Sequence, residues 1–438
     1  MKCRLQRKPY TLIFRYKAEK MNLRKKEEFY MIRIQDATGS NAKTKRKIGR
    51  ITNEKKTAVA AVVMSTAVML SSTSALAEDA GRTVGINSWV AGAYALDILA
   101  NNAQYAVEAN GDETLVFNDE GNVEKLTSNV ENMISANVDG ALWMGMFENM
   151  FAVGPSLLEN AGIPFALYDK VPSDQGMIEA IQNMNNFAGA VANDNYDAGA
   201  SIAQIALDNG NKKVLIAGAE VGDPNTDARV AGFSEAFEAG GGTILSVTRV
   251  ATGEANGEQQ ACDNMLAAFP EADCFYCTGE NFTLQAMNVI AKTPLDHEVK
   301  VYGTDLNPTL LENLKDGTLA ACSGANWVTA LYSAVLLENA MDGHKLTDAD
   351  GKAPFINNVK MVTVPADCSD LYQKFFIDEN PYEEEEIQNL LYKYNPDVTL
   401  EDVTEMIDNY SLEDRLIAKY NAGKVTAEEL EAVGIEVK

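Results

Sequence analysis

From residue 82 onward, short runs of β-branched and apolar residues alternate with longer stretches whose apolar residues recur at helical spacing. The run Thr83–Ile86 precedes the helical stretch Ala93–Asn110, and Lys213–Ala217 precedes the stretch Arg229–Ala239. Strands that alternate with helices of about 10–15 residues are typical of βαβ units, which build parallel sheets covered by helices. The alternation therefore predicts an α/β fold.

The number of strand-like runs indicates two sheets rather than one. Ten runs are more than a single twisted sheet commonly holds. The runs are Thr83–Ile86, Glu113–Phe117, Gly140–Trp143, Pro164–Tyr168, Gly189–Val191, Lys213–Ala217, Thr243–Val250, Cys274–Thr278, Lys300–Gly303 and Lys360–Val364. Since ligands of open α/β sheets bind beyond the carboxyl ends of the strands, the residues just after each run are the candidates for a site.

Charge is distributed unevenly along the chain. Of the 37 Lys and Arg and the 63 Asp and Glu residues, 18 and 5 lie in residues 1–77, which leaves 19 and 58 in 78–438, a net charge of −39. A body this acidic repels a phosphate backbone, so we expect no nucleic-acid partner.

The basic N-terminal segment has the features of an export signal. A cationic stretch from Lys43 to Lys56 precedes Ala58–Ala77, which holds no charged residue and ends in Ala75-Leu76-Ala77. A positive segment, an apolar segment and a small-residue cleavage site, in that order, indicate a secretory signal peptide. Ser and Thr residues in the apolar stretch weaken the alternative of an uncleaved membrane anchor. We predict that residues 1–77 are removed and that the protein is exported.

Cysteine and histidine usage predicts neither a disulfide framework nor a metal site. Five cysteines follow the signal, an odd number, and Cys274-Phe-Tyr-Cys277 lies in an apolar run that reads as a buried strand. A zinc site would need a second such pair or paired histidines, and the chain has only His297 and His344. We therefore expect core cysteines, no metal and no cofactor.

The composition changes at about residue 370. The segment 370–438 contains four consecutive glutamates from Glu383 and three short helical patterns that begin with Thr399, Ser411 and Thr426. An acidic residue follows each of these three positions later, which is the signature of a capping box and is clearest at Thr426. We predict an acidic helical extension that packs on the rest of the chain or offers a surface to a partner.

Segments between residues 82 and 364 resemble, in their order and spacing, the type I periplasmic binding proteins. The similarity is greatest to the ribose- and galactose-binding branch, whose core is shared with lac-type repressors. The segments that carry it are Thr83–Ile86, Ala161–Asp169, Asn193–Gly199, Asp227–Phe233, Val301–Asp305 and Leu314–Ala321. A repressor is not expected, because the export signal stands where a DNA-binding helix pair would be.

The resemblance implies two doubly wound, Rossmann-like lobes with parallel sheets, joined by three crossover strands that act as a hinge. Residues 82–193 and 326–357 would form lobe one, and 194–325 and 358–369 lobe two. The acidic helical extension 370–438 would follow. The family captures a solute in the cleft between the lobes and delivers it to a membrane transporter or receptor.

The resemblance also suggests which polar residues hold the ligand. Asp169 matches a strand-end aspartate of lobe one, and Lys170 replaces the arginine that follows it in the family. Arg229 matches the cleft arginine of lobe two, and Asp305 matches the strand-end aspartate of a G-x-D motif. Charged groups of this kind make short hydrogen bonds to hydroxyls or carboxylates.

Two further polar positions depart from the family pattern. Gly279 stands at the position of a family asparagine with Glu280 beside it, and Ala325 replaces the hinge glutamine with Asn326 following. We include Glu280 and Asn326 among the ligand-binding candidates, and the departures argue against a ribose binder.

Aromatic residues at the ends of strands complete the candidate site. The C–H face of a sugar ring packs well on a flat aromatic ring. Trp89 and Tyr94 follow the first strand and Trp143 ends the third. We expect these three side chains to face the ligand.

The function predicted from these observations is non-enzymatic capture of a small polar ligand, with a monosaccharide or related polyol as the expected class. The expected partner is the permease of an ABC transporter, and the expected state is a monomer. A sensor or chemoreceptor component, for a quorum-signal furanose for example, is the alternative. An enzyme is less favoured, because the chain has no nucleophile elbow, phosphate-binding loop or histidine-based constellation.

Overall fold

The computed structural model describes residues 81–251 and 255–437. The signal and the basic segment predicted for residues 1–77 lie outside the described residues. Strands are numbered β1–β12 and helices α1–α15 in chain order through the described residues. They form two six-stranded sheets, so the predicted two-lobed α/β fold is confirmed.

The first sheet belongs to lobe one and is parallel throughout, in the order β11-β5-β4-β3-β1-β2. Its strands are β1 (Thr83–Ser88), β2 (Glu113–Asn118), β3 (Gly140–Trp143), β4 (Phe165–Asp169), β5 (Phe187–Asn193) and β11 (Phe355–Val359). The helices between them are α1 (Tyr94–Ala109), α2 (Val123–Ala136), α3 (Gly154–Ala161), α4 (Gln175–Gln182) and α10 (Val328–Met341). The central strands are buried on both faces, as near-continuous apolar sequence requires in a parallel sheet.

The second sheet belongs to lobe two and has the order β12-β10-β9-β8-β6-β7, with only β12 antiparallel to its neighbour. Its strands are β6 (Lys213–Ala219), β7 (Thr243–Val250), β8 (Cys274–Cys277), β9 (Lys300–Thr304), β10 (Ala321–Gly324) and β12 (Val362–Thr363). Its helices are α5 (Asn195–Asp208), α6 (Pro224–Ala239), α7 (Ala255–Ala268), α8 (Glu280–Lys292) and α9 (Pro308–Lys315).

The chain crosses between the two sheets three times. The first crossing leads from β5 into α5, the second from β10 into α10, and the third from β11 into β12. The third crossing follows Val359, two residues beyond the lobe boundary predicted at residue 357. The three crossings are the only covalent links between the two sheets within the described residues.

The five cysteines of the described residues are buried, as predicted for core cysteines. Cys274 and Cys277 face the core from β8. Burial raises the pKa of the Cys262 thiol to about 12 and that of Cys368 to about 11. Because the thiolate is the reactive form, these groups are packing residues rather than redox groups.

Residues 369–437 form the predicted helical extension. Its helices are α11 (Ser369–Tyr372), α12 (Glu384–Gln388), α13 (Leu400–Asp408), α14 (Leu412–Asn421) and α15 (Ala427–Ala432), with a π-helical turn at Gln373–Asp378. Thr399 and Thr426 form the predicted capping boxes, and Ser411 caps α14 through its side chain. Among the described residues no helix combines the length and the apolar character needed to span a membrane.

The extension packs over α10 and over the second crossing. The side chain of Asn339 on α10 bonds to the backbone of Leu390 and Tyr392 at 2.8 and 2.7 Å. Ala325, the first residue after β10, donates its N–H to the hydroxyl of Tyr372 at 2.9 Å and accepts from that of Tyr410 at 2.8 Å. The extension therefore supports the hinge directly.

Candidate functional site

A cavity of about 140 Å³ lies between the two lobes, at the carboxyl ends of their strands. This is the position that the doubly wound topology favours for a ligand. Seven of the nine predicted site residues line it, namely Trp89, Asp169, Lys170, Arg229, Glu280, Asp305 and Asn326.

The wall from lobe one is built by residues that follow β1 and β4. Asp169 ends β4 with a backbone φ of +60°, a conformation that turns the chain sharply toward the cleft. Asp169 is 4% exposed, and burial raises the pKa of its carboxylate above the ordinary value despite the nearby Lys170 and Arg229. Trp89, 7% exposed, follows β1 and packs edge-on against Phe147, with 6.0 Å between ring centroids.

The wall from lobe two centres on Arg229, which lies on α6 and is 4% exposed. Its Nη1 donates to the carbonyl of Thr278 at 2.8 Å and to Asp305 Oδ2 at 3.2 Å, and its Nε donates to Asn195 Oδ1 at 2.8 Å. Asp305 follows β9 with a backbone φ of +67°. Burial alone would lower the pKa of Arg229, but the surrounding carboxylates, Asp305 foremost, raise it. The guanidinium therefore carries a fixed positive charge.

Two contacts between side chains join the lobes directly across the cavity. Lys170 Nζ lies 2.7 Å from both oxygens of Asp223, which caps the N-terminus of α6. Asn225 Nδ2 donates to Asp169 Oδ2 at 3.1 Å. Burial tends to raise the pKa of Asp223, but Lys170 outweighs this and holds it below its ordinary value. The lobes are thus closed upon each other.

Glu280 begins α8 and faces lobe one from the other side of the cleft. Its Oε2 accepts from Asn307 Nδ2 at 2.9 Å, and its carboxylate also bonds to the backbone N–H of Ala95 in the first turn of α1. Helix α1 has no side-chain cap of its own, because Ala93 occupies the N-cap position. Burial raises the pKa of Glu280 to about 7, with the Asn307 hydrogen bond opposing the shift and Asp305 and Asp97 adding to it.

Asn326 connects the cavity to the hinge. Its backbone carbonyl accepts from Asn193 Nδ2 at 3.1 Å, which ties the first and second crossings together. Its Nδ2 donates to Asp305 Oδ1 at 3.0 Å. Its Oδ1 is buried and has no hydrogen-bond partner among the described residues.

Two predicted site residues lie outside the cavity. Trp143 is fully buried in the core of lobe one, where its ring packs edge-on against Phe151 and lies close to Gly154. Tyr94 is half-buried and packs edge-on against Trp327, with 6.0 Å between ring centroids. Both residues stand at the cleft end of a strand or helix, but their rings pack against other aromatic side chains and do not line the cavity.

The structure adds lining residues that the sequence analysis did not select. Asn225 and Thr226 reach the cavity beside Asp223 from the turn that begins α6, and Met146 and Leu96 supply apolar surface from lobe one. An N-cap aspartate followed by Pro224 marks the turn after β6 as a helix start in the sequence. Which of its side chains would face the other lobe could not be read from that signal.

No group of three or more His, Cys, Asp or Glu side chains in residues 81–251 and 255–437 is arranged to hold a metal ion. The glutamates of the acidic run serve other contacts, since Glu383 pairs with Lys419 and Lys424, and Glu386 pairs with Arg415.

A family model described as a periplasmic binding protein domain matches residues 83–345, which is more than half of the chain. No curated protein sequence matches the chain. The family match covers both walls of the cavity and ends before the C-terminal extension.

Solved structures with the same fold include several solute-binding proteins. A glucose-galactose binding protein from Geobacillus stearothermophilus has 18% identity and a TM-score of 0.54, over 66% of this chain and 98% of its own. An ABC transporter solute-binding protein from Bacillus halodurans, with bound myo-inositol, has 17% identity and a TM-score of 0.57, over 68% and 99%. One from Actinobacillus succinogenes, with bound D-allose, has 21% identity and a TM-score of 0.58, over 66% and 100%.

Proposed function

The chain belongs to the periplasmic binding protein family, and from this premise we propose that it is an exported, monomeric and non-enzymatic solute-binding protein. It captures a small polar ligand, a monosaccharide or related polyol, in the cleft between its lobes. It then delivers the ligand to the permease of an ABC transporter.

The observation that carries this proposal is the cavity closed between the lobes. Charged side chains from both lobes converge on it, and lobe-to-lobe contacts such as the 2.7 Å pair between Lys170 and Asp223 cover it. A closed form that buries charged groups is favoured only if further contacts stabilise it. A polar ligand that bridges the two walls supplies such contacts.

Three features support a sugar or polyol. Carboxylates at strand ends, Asp169 and Asp305, suit the hydroxyls of such a ligand, and Trp89 offers an aromatic surface to its C–H face. The cavity of about 140 Å³ has the scale of a single small ring, since an apolar cavity of about 150 Å³ holds benzene. The structural neighbours from B. halodurans and A. succinogenes carry myo-inositol and D-allose.

The mechanism follows from the hinge. With the lobes apart, the ligand reaches Asp169 and Trp89 on lobe one. Rotation about the three crossings then brings Arg229 and Asp305 over it, and Lys170 meets Asp223. Because Arg229 and Asp305 hold each other in place before the ligand arrives, little side-chain freedom is lost on binding.

The proposal is tested by ligand-dependent thermal stabilisation. The purified protein is screened against monosaccharides, polyols, nucleosides, amino acids and furanose signals, and a ligand at a hundredfold excess over its Kd should stabilise the fold by about 2.7 kcal/mol. Arg229→Ala should weaken the binding of that ligand by about 1.5–3 kcal/mol, the range of a hydrogen bond to a charged group.

The matched control is Lys292→Ala, which removes an exposed cation of lobe two in the last turn of α8, outside the cavity. It should leave the affinity unchanged. A folded protein that no solute of the panel stabilises would contradict the proposal, and so would a ligand whose affinity is the same in wild type and Arg229→Ala.

A further inference from the structure

The cavity carries an excess of negative charge. Its charged lining consists of four carboxylates and two cations, namely Asp169, Asp223, Glu280 and Asp305 with Lys170 and Arg229. With all six ionised the net charge is −2. Most of these charged side chains are buried, and such an excess is costly unless something positive enters the cleft.

The two cations are already committed to two of the carboxylates. Lys170 lies 2.7 Å from both oxygens of Asp223, and Arg229 lies 3.2 Å from Asp305. Each of these carboxylates therefore has its counter-charge within the protein. Asp169 and Glu280 are left without an ion pair of their own, although Lys170 and Arg229 also lie near Asp169.

Asp169 and Glu280 are bonded to neutral donors. Asp169 accepts from the Asn225 amide, and Glu280 accepts from the Asn307 amide and the Ala95 backbone. Within the described residues neither carboxylate forms an ion pair with a lysine or arginine. The pKa of each is raised by burial, and that of Glu280 reaches about 7 with Asp305 and Asp97 facing it.

A third acceptor lines the same cavity without a partner. Asn326 is 3% exposed, and its Oδ1 has no donor among the residues that the structure describes. Its Nδ2 faces the Asp305 carboxylate at 3.0 Å, so Oδ1 is the atom left to face a ligand. A buried amide oxygen without a donor points to a hydrogen-bond donor that is supplied from outside the protein.

We propose that the ligand of this cleft bears a protonated amino group, as an amino sugar or an aminated polyol does, and that Asp169, Glu280 and Asn326 receive it. This proposal rests on the function proposed above and narrows its ligand class. An ammonium carries a positive charge and three donors but no acceptor. It therefore suits two carboxylates that have no ion pair and an amide oxygen that has no donor.

A neutral hydroxyl in the same place would be the poorer fit. It brings one donor and no charge, so the two carboxylates would stay buried without a counter-ion when the lobes close. Hydrogen bonds between a charged donor and a charged acceptor are also about twice as strong as neutral ones. Selection for an amine is therefore built into the closed form.

The experiment compares matched ligand pairs by isothermal titration calorimetry at neutral pH, because at acidic pH Glu280, with its pKa of about 7, would itself be protonated. The probes are D-glucosamine against D-glucose, D-galactosamine against D-galactose, and the corresponding N-acetyl sugars, in which the charge is removed. We expect the affinity for at least one amino sugar to be at least tenfold higher than the affinity for its hydroxyl counterpart and for its N-acetyl counterpart.

Two variants test whether the named carboxylates are responsible. Glu280→Gln and Asp169→Asn each keep the size of the side chain, and asparagine also tolerates the positive φ of position 169. Each should reduce the preference for the amino sugar at least tenfold. Glu131→Gln removes an exposed carboxylate on α2 outside the cavity and should leave the preference unchanged.

The outcomes separate this proposal from the function on which it rests. A neutral sugar that binds as tightly as its amino counterpart would overturn the amine proposal and leave a solute-binding protein. A preference that survives in both Glu280→Gln and Asp169→Asn would overturn it as well. A folded protein that binds no solute of this set or of the wider panel would remove the proposed function, and the amine proposal with it.

Discussion

Asp169, Asp305 and Ala325 share a left-handed backbone conformation, with φ of +60°, +67° and +57°. Residues other than glycine adopt it rarely, and it tends to occur at ligand sites and switch points. Here it occurs directly at the carboxyl ends of β4, β9 and β10, where the chain turns toward the cleft or crosses the hinge. This conformation thus places the carboxylates of Asp169 and Asp305 at the cavity, and at Ala325 it determines the direction of the second crossing.

The Lys170–Asp223 pair should contribute to closure rather than to the folding of either lobe. Both side chains are about 8% exposed in the closed form, and they belong to different lobes. Lys170→Met should weaken ligand binding by about 3 kcal/mol, roughly a hundredfold, because it leaves Asp223 buried without its partner when the lobes close. Titration calorimetry with the best ligand of the panel measures the change.

Asp223→Asn is the matched variant for this pair, because asparagine also caps a helix and preserves the start of α6. If the pair couples the lobes, the double variant Lys170→Met, Asp223→Asn should lose much less affinity than the two single losses added together. Additive losses would show that the two residues act independently.

At the residue scale, the sequence was a good guide to position along the chain and a poor guide to side-chain direction. Asp169, Arg229 and Asp305 could be placed near the cleft because they match cleft positions of the family that the chain resembles, although α6 begins at Pro224, before Arg229. Trp143 could not be placed, because a residue at the end of a strand with helices on both faces can turn into either core. The contact between Lys170 and Asp223 joins residues 53 apart and depends on how two lobes close, which local spacing does not encode.

At the scale of elements, the C-terminal extension explains why α10 is buried almost all round. Twelve of its fourteen residues are buried, although helices at a surface normally have one polar face. The strands and α1 cover one side, and the extension covers the other through Tyr382, whose hydroxyl bonds to that of Tyr332. The extension is therefore part of the structural core of lobe one.

Loss of the Tyr410 hydroxyl should destabilise the protein through the hinge. Tyr410 is 2% exposed and donates to the buried carbonyl of Ala325. Tyr410→Phe leaves that carbonyl unsatisfied, which costs about 1–3 kcal/mol of unfolding free energy. Tyr394→Phe, at a tyrosine of the same extension that is 45% exposed, is the control and should change stability little. Equal denaturant midpoints for the two variants would contradict this role.

Strands β10 and β11 were not predicted from the sequence, and the reason is physical. Strand β10 has the sequence Ala321-Cys-Ser-Gly324, whose small residues carry little β propensity, and β11 contains two adjacent asparagines. Both belong to the sheets because they pair with β9 and β5, which is a tertiary effect. The other strands have β-branched or aromatic residues, and their predicted bounds agree with the structure to within a few residues.

At the scale of the whole molecule, stability should decline as the pH rises. Glu338 is fully buried beside Asp112, and burial together with Asp112 raises its pKa from 4.5 to about 9 in spite of Arg82 and Asn110. Between those values the folded protein holds a proton that the unfolded chain has lost, so the unfolding free energy falls as pH increases from about 4.5 to about 9.

Urea unfolding of Glu338→Gln tests this expectation. The variant should be more stable than wild type near pH 9 and show a smaller decline between about pH 5 and pH 9. Glu113→Gln removes an exposed carboxylate at the start of β2 and should keep the wild-type slope. Identical slopes for Glu338→Gln and wild type would show that Glu338 is ionised in the folded state.

The central claim is that a solute closes the two lobes upon each other, and the distance between the lobes tests it most directly. Spin labels at Val153→Cys in lobe one and Val221→Cys in lobe two use exposed positions, and the five cysteines of the described residues are buried. The account predicts that a saturating ligand shifts the label-to-label distances to one short population, and that Arg229→Ala reduces the shift. A distance distribution that stays the same while the ligand is bound would contradict it.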